Sequence, residues 1–248
     1  MALAIVMPAY NESECIERVV KSWLGVLDQV SGCIIVVNDG SRDNTGAILD
    51  GLARNEPRLK VVHQTNAGHG AAVMRGYQEA LKSGERYIFQ TDSDDQFIPA
   101  DFTKLWELRE RSPFLMGYRL KRSDAFVRKI VTRVVRVLNF LFFGVWLRDS
   151  NIPFRLMRAE FLSELLPLIP PGVFAPNIIL TVLAAKAGAA LHEVPITHLD
   201  RTTGTVSIRK WKLFKVCVRS ARELLRFRLS LIGRRSQFKG LRARYAVS

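Results

Sequence analysis

The sequence predicts an α/β fold: a mostly parallel central sheet flanked by helices, followed by amphipathic helices at the C-terminal end. Three observations point there. Short apolar runs alternate with helical patterns through the first hundred residues, which is how strand–helix–strand units and parallel sheets read. Each apolar run ends in a polar, turn-forming segment. Positive charge gathers at the C-terminal end and is not spread along the chain.

In order, Ala2–Met7 is an unbroken apolar run and reads as a strand, and Glu12–Leu27 has a helical pattern. Gly32–Asn38, with its Cys-Ile-Ile-Val-Val core, reads as a strand, and Thr45–Arg54 as a helix. Leu59–Gln64 is a strand, Ala71–Ser83 a helix and Tyr87–Thr91 a strand. Farther on, Ala100–Arg111, a segment from Phe126 and Asn177–Ala187 read as helices, with a short strand near Leu191–Ile196. In such sheets ligands bind beyond the carboxyl ends of the strands. The segments found there are Pro8–Glu12, Asn38–Asp43, Asn66–Gly70 and Asp92–Gln96. One such segment could be ordinary turn chemistry, but four on one sheet edge suggest a site.

The chain of 248 residues has 37 Lys and Arg against 23 Asp and Glu, a net charge of +14. Residues 201–248 hold 14 bases and one acid, Glu223, for +13, whereas residues 1–200 are nearly neutral at +1. A neutral domain with a basic tail suggests a polyanionic partner, a nucleic acid or an anionic membrane surface. Composition excludes disordered, collagen-like and coiled-coil chains. The cysteines Cys15, Cys33 and Cys217 have no metal spacing and suit a reducing compartment. The N-terminus has no basic region before its apolar run and is a poor signal peptide. Val137–Leu147, an uncharged stretch of eleven residues, is well short of the about twenty that span a bilayer. A peripheral position on a membrane is therefore expected.

Asp92, Asp94 and Asp95 crowd into four positions after a strand, and like charges so close need compensation. Magnesium binds through one or two carboxylates and completes its shell with substrate phosphates. Alternate residues of an extended segment face the same way, so Asp92 and Asp94 can converge and Gln96 can join them. The competing reading is helix capping ahead of Ala100–Arg111, for which Asp101 is available.

Met7-Pro8-Ala9-Tyr10-Asn11-Glu12, Val37-Asn38-Asp39-Gly40-Ser41, Asn66-Ala67-Gly68-His69-Gly70 and Asp92-Ser93-Asp94 occur in the order found in family 2 glycosyltransferases. The chain resembles that family over about residues 1–210. Within it, the chain is similar to the dolichyl- and polyprenyl-phosphate sugar synthases. The residues that carry this are Asp92-x-Asp94-x-Gln96, Gly117-Tyr118-Arg119, Asp149…Phe154-Arg155, Glu193-Val194-Pro195-Ile196 and Arg201-x-x-Gly204.

The resemblance implies a GT-A fold over residues 1–207 and a basic, membrane-associating tail over 208–248. It implies inverting transfer of a sugar from a nucleotide-diphosphate sugar to a polyprenyl phosphate. Pro8, Tyr10, Glu12, Asp39, Gly68, Asp92 and Arg201 would bind the donor, Arg201 at its diphosphate. Asp92, Asp94 and Gln96 would hold Mg2+ or Mn2+. Arg119, Arg128, Thr132 and Arg133 would receive the acceptor phosphate, with Asp94, Arg119 and Arg128 as the catalytic set. The expected location is the cytoplasmic face of the cell membrane, peripheral and without a spanning helix.

The acceptor class follows from a missing base. A hydroxyl acceptor needs a general base, whereas a phosphate monoester is already anionic near neutrality. Many hydroxyl-glycosylating relatives carry a Glu-Asp pair where this chain reads Phe174-Ala-Pro-Asn177, and no Gln-x-x-Arg-Trp occurs. Asn177 also departs from the Glu often found there in the phosphate-acceptor group. Arg201–Ser207 is one residue longer than the usual Arg-x-x-Gly-x-Ser. The alternative is a family 2 enzyme acting on a lipid or saccharide hydroxyl.

Two basic helices suit a lipid substrate. Lys129, Arg133 and Arg136 form a stripe against Val127, Ile130, Val131, Val134 and Leu138. In the tail, Lys212, Lys215, Arg219, Arg222 and Arg226 fall within a sector of about 80°, with apolar residues over most of the remainder. Residues 234–244 either extend that helix or are disordered. A nucleic-acid-binding arm would interleave bases with stacking aromatics or carry a reading motif, and neither pattern is present, so no nucleic acid is expected. A homo-oligomer and an integral membrane partner both remain open.

Overall fold

The run Leu3–Ala9 is buried at every position, so it lies inside a sheet covered on both faces. This strand, β1, pairs in parallel with β2 (Gly32–Asp39) on one side and β4 (Tyr87–Gln90) on the other. β2 pairs in parallel with β3 (Leu59–Gln64). Three helices make the crossovers: α1 (Ile16–Leu27), α2 (Thr45–Asn55) and α3 (His69–Lys82). The computed structural model describes residues 2–120, 126–200 and 210–245. Each strand and helix expected in this first part is present, with its ends shifted by a few residues. α1 begins at Ile16 and not Glu12 because the Glu12 carbonyl closes a turn, accepting the N–H groups of Cys15 at 3.0 Å and Ile16 at 2.8 Å.

Two strands do not stand out as apolar runs: β5 (Phe114–Arg119) and β6 (Arg155–Arg158). β6 runs antiparallel to both β4 and β5, and β5 is parallel to β7 (His192–Ile196). The seven-stranded order is β3-β2-β1-β4-β6-β5-β7, mostly parallel as expected. α4 (Phe102–Glu107) is shorter than Ala100–Arg111 and follows a 3-10 turn at Pro99–Asp101. Asp101 makes no side-chain cap there. Its carboxylate instead accepts the N–H of Thr197 at 2.6 Å, at the end of β7.

An aromatic knot fills the centre. Phe89 meets Trp23 at 5.2 Å, Phe102 at 5.0 Å and Phe154 at 4.8 Å between ring centroids. Phe97, just past the carboxylate segment, joins through Phe154 at 5.5 Å. Such rings combine large buried area with preferred edge and tilted contacts, and removing Phe89 would cost about 3–5 kcal/mol. Phe97 thereby anchors the far end of the Asp92–Gln96 loop.

The remaining helices are α5 (Phe126–Phe143), α6 (Ala159–Leu165), α7 (Pro176–Lys186), α8 (Lys210–Ser230) and α9 (Arg235–Tyr245). The boundary expected between 207 and 208 lies outside the described residues. Beyond it, α8 and α9 share the main core. Leu224, Phe227, Phe238 and Leu241 are buried in it, and Phe227 meets Phe143 of α5 at 5.7 Å. Residues 235–245 form a docked helix and are not disordered. The Tyr245 hydroxyl donates to Glu164 at 2.7 Å, and Arg244 pairs with the same carboxylate.

Packing divides the apolar part of α8 in two. Ser220, Leu224 and Phe227, with Leu231 just beyond the helix, face the core, while Leu225, Leu229 and Ile232 stay exposed. On α5, Val134, Val137, Phe140 and Leu141 are likewise exposed, beside Trp146. Arg133 is exposed, whereas Arg136 turns to the carbonyl of Arg148. No helix among the described residues is long and apolar enough to cross a membrane.

Candidate active site

All four polar segments meet at the carboxyl ends of β1 to β4, where parallel strands open a crevice. They line a cleft of about 390 Å³ that includes Pro8, Tyr10, Glu12, Asp39, Asn66, Gly68, His69, Asp92 and Asp94. The loops fasten one another. The Asn11 N–H donates to Ser41 Oγ at 3.0 Å, and Asn11 Oδ1 accepts the Arg42 N–H at 2.8 Å. The Glu12 N–H donates to Thr45 Oγ1 at 2.8 Å. Gly40 has φ 65°, and a Cβ there would lie 2.6 Å from the Asn66 nitrogen. Only glycine fits both the left-handed backbone and the close approach.

Asp39 is 2% exposed. Its carboxylate accepts the N–H groups of Ala67 at 2.8 Å and Gly68 at 2.9 Å, and the Gln64 amide at 2.7 Å. The carboxylate thus shapes the loop after β3, and it lines the cleft while holding that loop.

Along the carboxylate segment, Ser93 points inward and donates its hydroxyl to the Pro8 carbonyl at 2.8 Å. Asp92 and Asp94, on either side of it, line the cleft, as the period of two in an extended chain requires. Asp95 has φ 60° and turns away to pair with Arg18 of α1, with Nε at 2.9 Å and Nη2 at 2.8 Å. This removes one of the three crowded charges. His69 Nε2 stands 3.9 Å from Asp92 Oδ1. Gln96 donates its side-chain amide to the Leu199 carbonyl at 2.8 Å and accepts the Leu199 N–H at its own carbonyl at 2.9 Å. The carboxylate loop is thereby tied to the segment that leads to Arg201.

A buried polar layer lies beneath. The Tyr77 hydroxyl donates to Gln90 Oε1 at 2.6 Å and lies 3.5 Å from Asn177 Oδ1. Arg155 is fully buried and donates to the carbonyls of Ile152 at 2.6 Å and Asn177 at 3.0 Å. Burial raises the Tyr77 hydroxyl well above its usual range and lowers the Arg155 guanidinium. Arg119 pairs with Asp149 at 2.9 Å, with side-chain exposures of 16% and 6%. Its Nε is buried with no hydrogen-bond partner among the described residues.

A divalent metal fits this donor set in one way. Among the described residues no three His, Cys, Asp or Glu side chains form an all-protein cage. Two carboxylates on one loop, facing an open cleft, suit a hard cation that completes its shell with phosphate and water.

The family model described as glycosyl transferase family 2 matches residues 4–166. The chain belongs to glycosyl transferase family 2. A polyprenol monophosphomannose synthase of Mycolicibacterium smegmatis is 30% identical, over 81% of this chain and 78% of its own length. An undecaprenyl-phosphate mannosyltransferase of Micrococcus luteus is 26% identical, over 82% of this chain and 86% of its own. Among solved structures, glucosyl-3-phosphoglycerate synthase from Mycobacterium tuberculosis with Mn2+, UDP-glucose and glycerol 3-phosphate superposes with a TM-score of 0.63. It covers 92% of this chain and 79% of its own at 21% identity. The protein is a glycosyltransferase with the GT-A fold.

Within this family 2 domain, Pro8, Tyr10, Glu12, Asp39, Gly68, Asp92 and Asp94 come together in one cleft. Gln96 is adjacent but engaged with Leu199. Arg119 sits in its ion pair at the end of β5. Arg128, Thr132 and Arg133 fall on the first turns of α5, the side chains of Arg128 and Thr132 lying outside those described. Arg201 and Ser207 lie outside the described residues. Sequence reasoning missed Arg18 as the partner of Asp95, and Arg155 as the buried hub. The Arg18–Asp95 pair spans 77 positions, so no local pattern carries it. His69 and Asn66 were visible only as members of a loop motif.

Proposed function

We propose that this glycosyltransferase moves a sugar, with inversion, from a nucleotide-diphosphate sugar to a polyprenyl phosphate at the cytoplasmic surface of the membrane, in a metal-dependent reaction. Pro8, Tyr10, Glu12, Asp39 and Gly68 hold the nucleoside end of the donor, with Arg201 at its diphosphate. Asp92 and Asp94, with Gln96 beside them, hold Mg2+ or Mn2+. When bound, the metal neutralises charge on the departing nucleoside diphosphate. Arg119, Arg128, Thr132 and Arg133 draw the acceptor phosphate toward the sugar carbon, Arg forks being suited to phosphate.

The observation that carries this reading is the absence of a base at the start of α7. Asn177 there is buried against Tyr77. Glu223, which reaches the same helix start from α8, accepts the N–H groups of Phe174 at 2.6 Å and Ala175 at 3.4 Å. An acceptor that is already anionic needs positioning and not deprotonation. The buried Nε of Arg119, which has no hydrogen-bond partner among the described residues, offers such an anion a donor. The exposed apolar residues of α5 and α8, with Arg133, Arg222 and Arg226 exposed beside them, favour a lipid surface. The names of the two mannosyl-transferring relatives, both acting on polyprenyl phosphates, agree.

The test is transfer from a panel of nucleotide sugars to a polyprenyl phosphate in detergent, with Mn2+ or Mg2+. A polyprenyl-phosphate sugar with the anomeric configuration opposite to the donor is expected. An acceptor inert with every common donor overturns the proposal.

A further inference from the structure

Away from the donor cleft, a hollow of about 710 Å³ lies between residues 170–173, α7 and α8. Its inner wall is apolar, built by Pro170, Pro171, Val173 and Ile179, and its rim carries Arg219, Arg222 and Arg226. Its lining shares no residue with that of the donor cleft. The one acid in it, Glu223, is already satisfied by the backbone N–H groups of Phe174 and Ala175. Arg219 lies 4.6 Å over the Phe174 ring. Arg222 and Arg226 are exposed and make no ion pair with a described residue. The hollow therefore offers guanidinium groups over an apolar wall, with its only carboxylate engaged.

The neighbouring surface points to the ligand. Leu225, Leu229 and Ile232 are exposed, and positions three or four apart on a helix are neighbours. Leu225 and Leu229 thus run beside Arg222 and Arg226. A strip of leucines next to a strip of arginines, opposite the buried Leu224 and Phe227, is the pattern of a helix that lies in a membrane interface with its apolar side among the acyl chains. That places the hollow at headgroup depth. The hollow is also one loop from the donor cleft, because a Cβ on Gly70 at the start of α3 would sit 2.6 Å from the Val173 carbonyl.

We propose that this hollow binds the phosphate headgroup of an anionic membrane phospholipid, at a site separate from the donor cleft and from the acceptor residues on α5. The arginines grip the phosphodiester as bidentate donors, and the apolar wall covers the glycerol end of the lipid. The inference rests on the reading that the enzyme works at a membrane surface.

The test uses the full chain and vesicles without polyprenyl phosphate: phosphatidylcholine alone, and phosphatidylcholine with phosphatidylglycerol. Arg222→Gln/Arg226→Gln should weaken partition onto the phosphatidylglycerol vesicles about thirtyfold, the effect of removing two bases from an anionic surface. Lys21→Gln/Arg54→Gln, which makes the same change of charge on the exposed surface of α1 and α2, should weaken it less than about threefold, because the attraction falls off within a Debye length. Val173→Trp fills the hollow and keeps every charge, and should abolish the preference for phosphatidylglycerol. Unchanged thermal midpoints check the fold. Equal losses in the two charge pairs, or an undiminished preference in Val173→Trp, overturn the site. If the wild type ignores anionic vesicles yet glycosylates polyprenyl phosphate in detergent, the site and the surface action fail and the acceptor assignment stands. Selective loss of vesicle binding with an inert acceptor gives the opposite result.

Discussion

The carboxylate of Asp39 receives the backbone N–H of Gly68 at 2.9 Å, and that of Ala67 at 2.8 Å. A side chain at the end of β2 thus fixes the loop after β3, and both border the cleft proposed to hold the donor. Asp39→Asn would place an amide where acceptors are needed and leave a buried N–H unsatisfied. The expected loss is about 1–3 kcal/mol of stability, read by denaturant unfolding, together with weaker nucleotide binding in calorimetry.

Asp92 and Asp94 face the cleft while Asp95 is neutralised by Arg18. Asp94→Ala should lower kcat by at least about a hundredfold, the scale of losing electrostatic stabilisation of the developing charge. Asp95→Ala should leave kcat nearly unchanged. Chelator should stop turnover, and added Mn2+ should restore it. Full activity without metal contradicts the assignment.

Arg119 and Asp149 form a largely buried pair, and removing one member leaves an uncompensated charge. Arg119→Ala should cost about 3–5 kcal/mol of stability as well as acceptor use. Arg128→Ala should raise the acceptor KM with little effect on donor binding. Steady-state kinetics with each substrate varied separates the two residues, and unchanged acceptor kinetics in Arg128→Ala rejects its role.

Glu79 gives the fold an acid-sensitive contact. Hydrogen bonds from Lys82 and then Lys60 lower its carboxyl from 4.5 to about 2. A folded value below the unfolded one adds stability that is present above 4.5 and lost as pH falls from there toward 2. Glu79→Gln should therefore reduce stability near neutrality and flatten its dependence on pH in that acid window. Urea midpoints at about pH 6 and about pH 3 measure both effects.

Much of the N-terminal half is legible because its information is local. β1, β2 and β4 are built on continuous apolar runs, and the turn residues after them need no partner to be recognised. β6 is different. Arg-Leu-Met-Arg shows no strand pattern, and Arg155 stands out only as a member of the Asp149…Phe154-Arg155 motif. It becomes a strand by pairing between β4 and β5, where Arg155 faces Gln90 in register. Its charge is tolerated because the carbonyls of Ile152 and Asn177 surround it.

By itself the sequence determined the parallel α/β framework, the four loops of the cleft, the paired carboxylates and the basic stripe of the tail. These depend on residue type and on spacings of two or of three and four, which any reader of the chain can count. Tertiary structure decided which members of each pattern are available. It turned Ser93 inward, gave Asp95 to Arg18, committed Asp39 to the Gly68 loop and buried Leu224 and Phe227 of α8, the latter beside Phe143. Periodicity assigns side chains to a face, but whether that face meets core, ligand or water depends on what packs against it from distant parts of the chain.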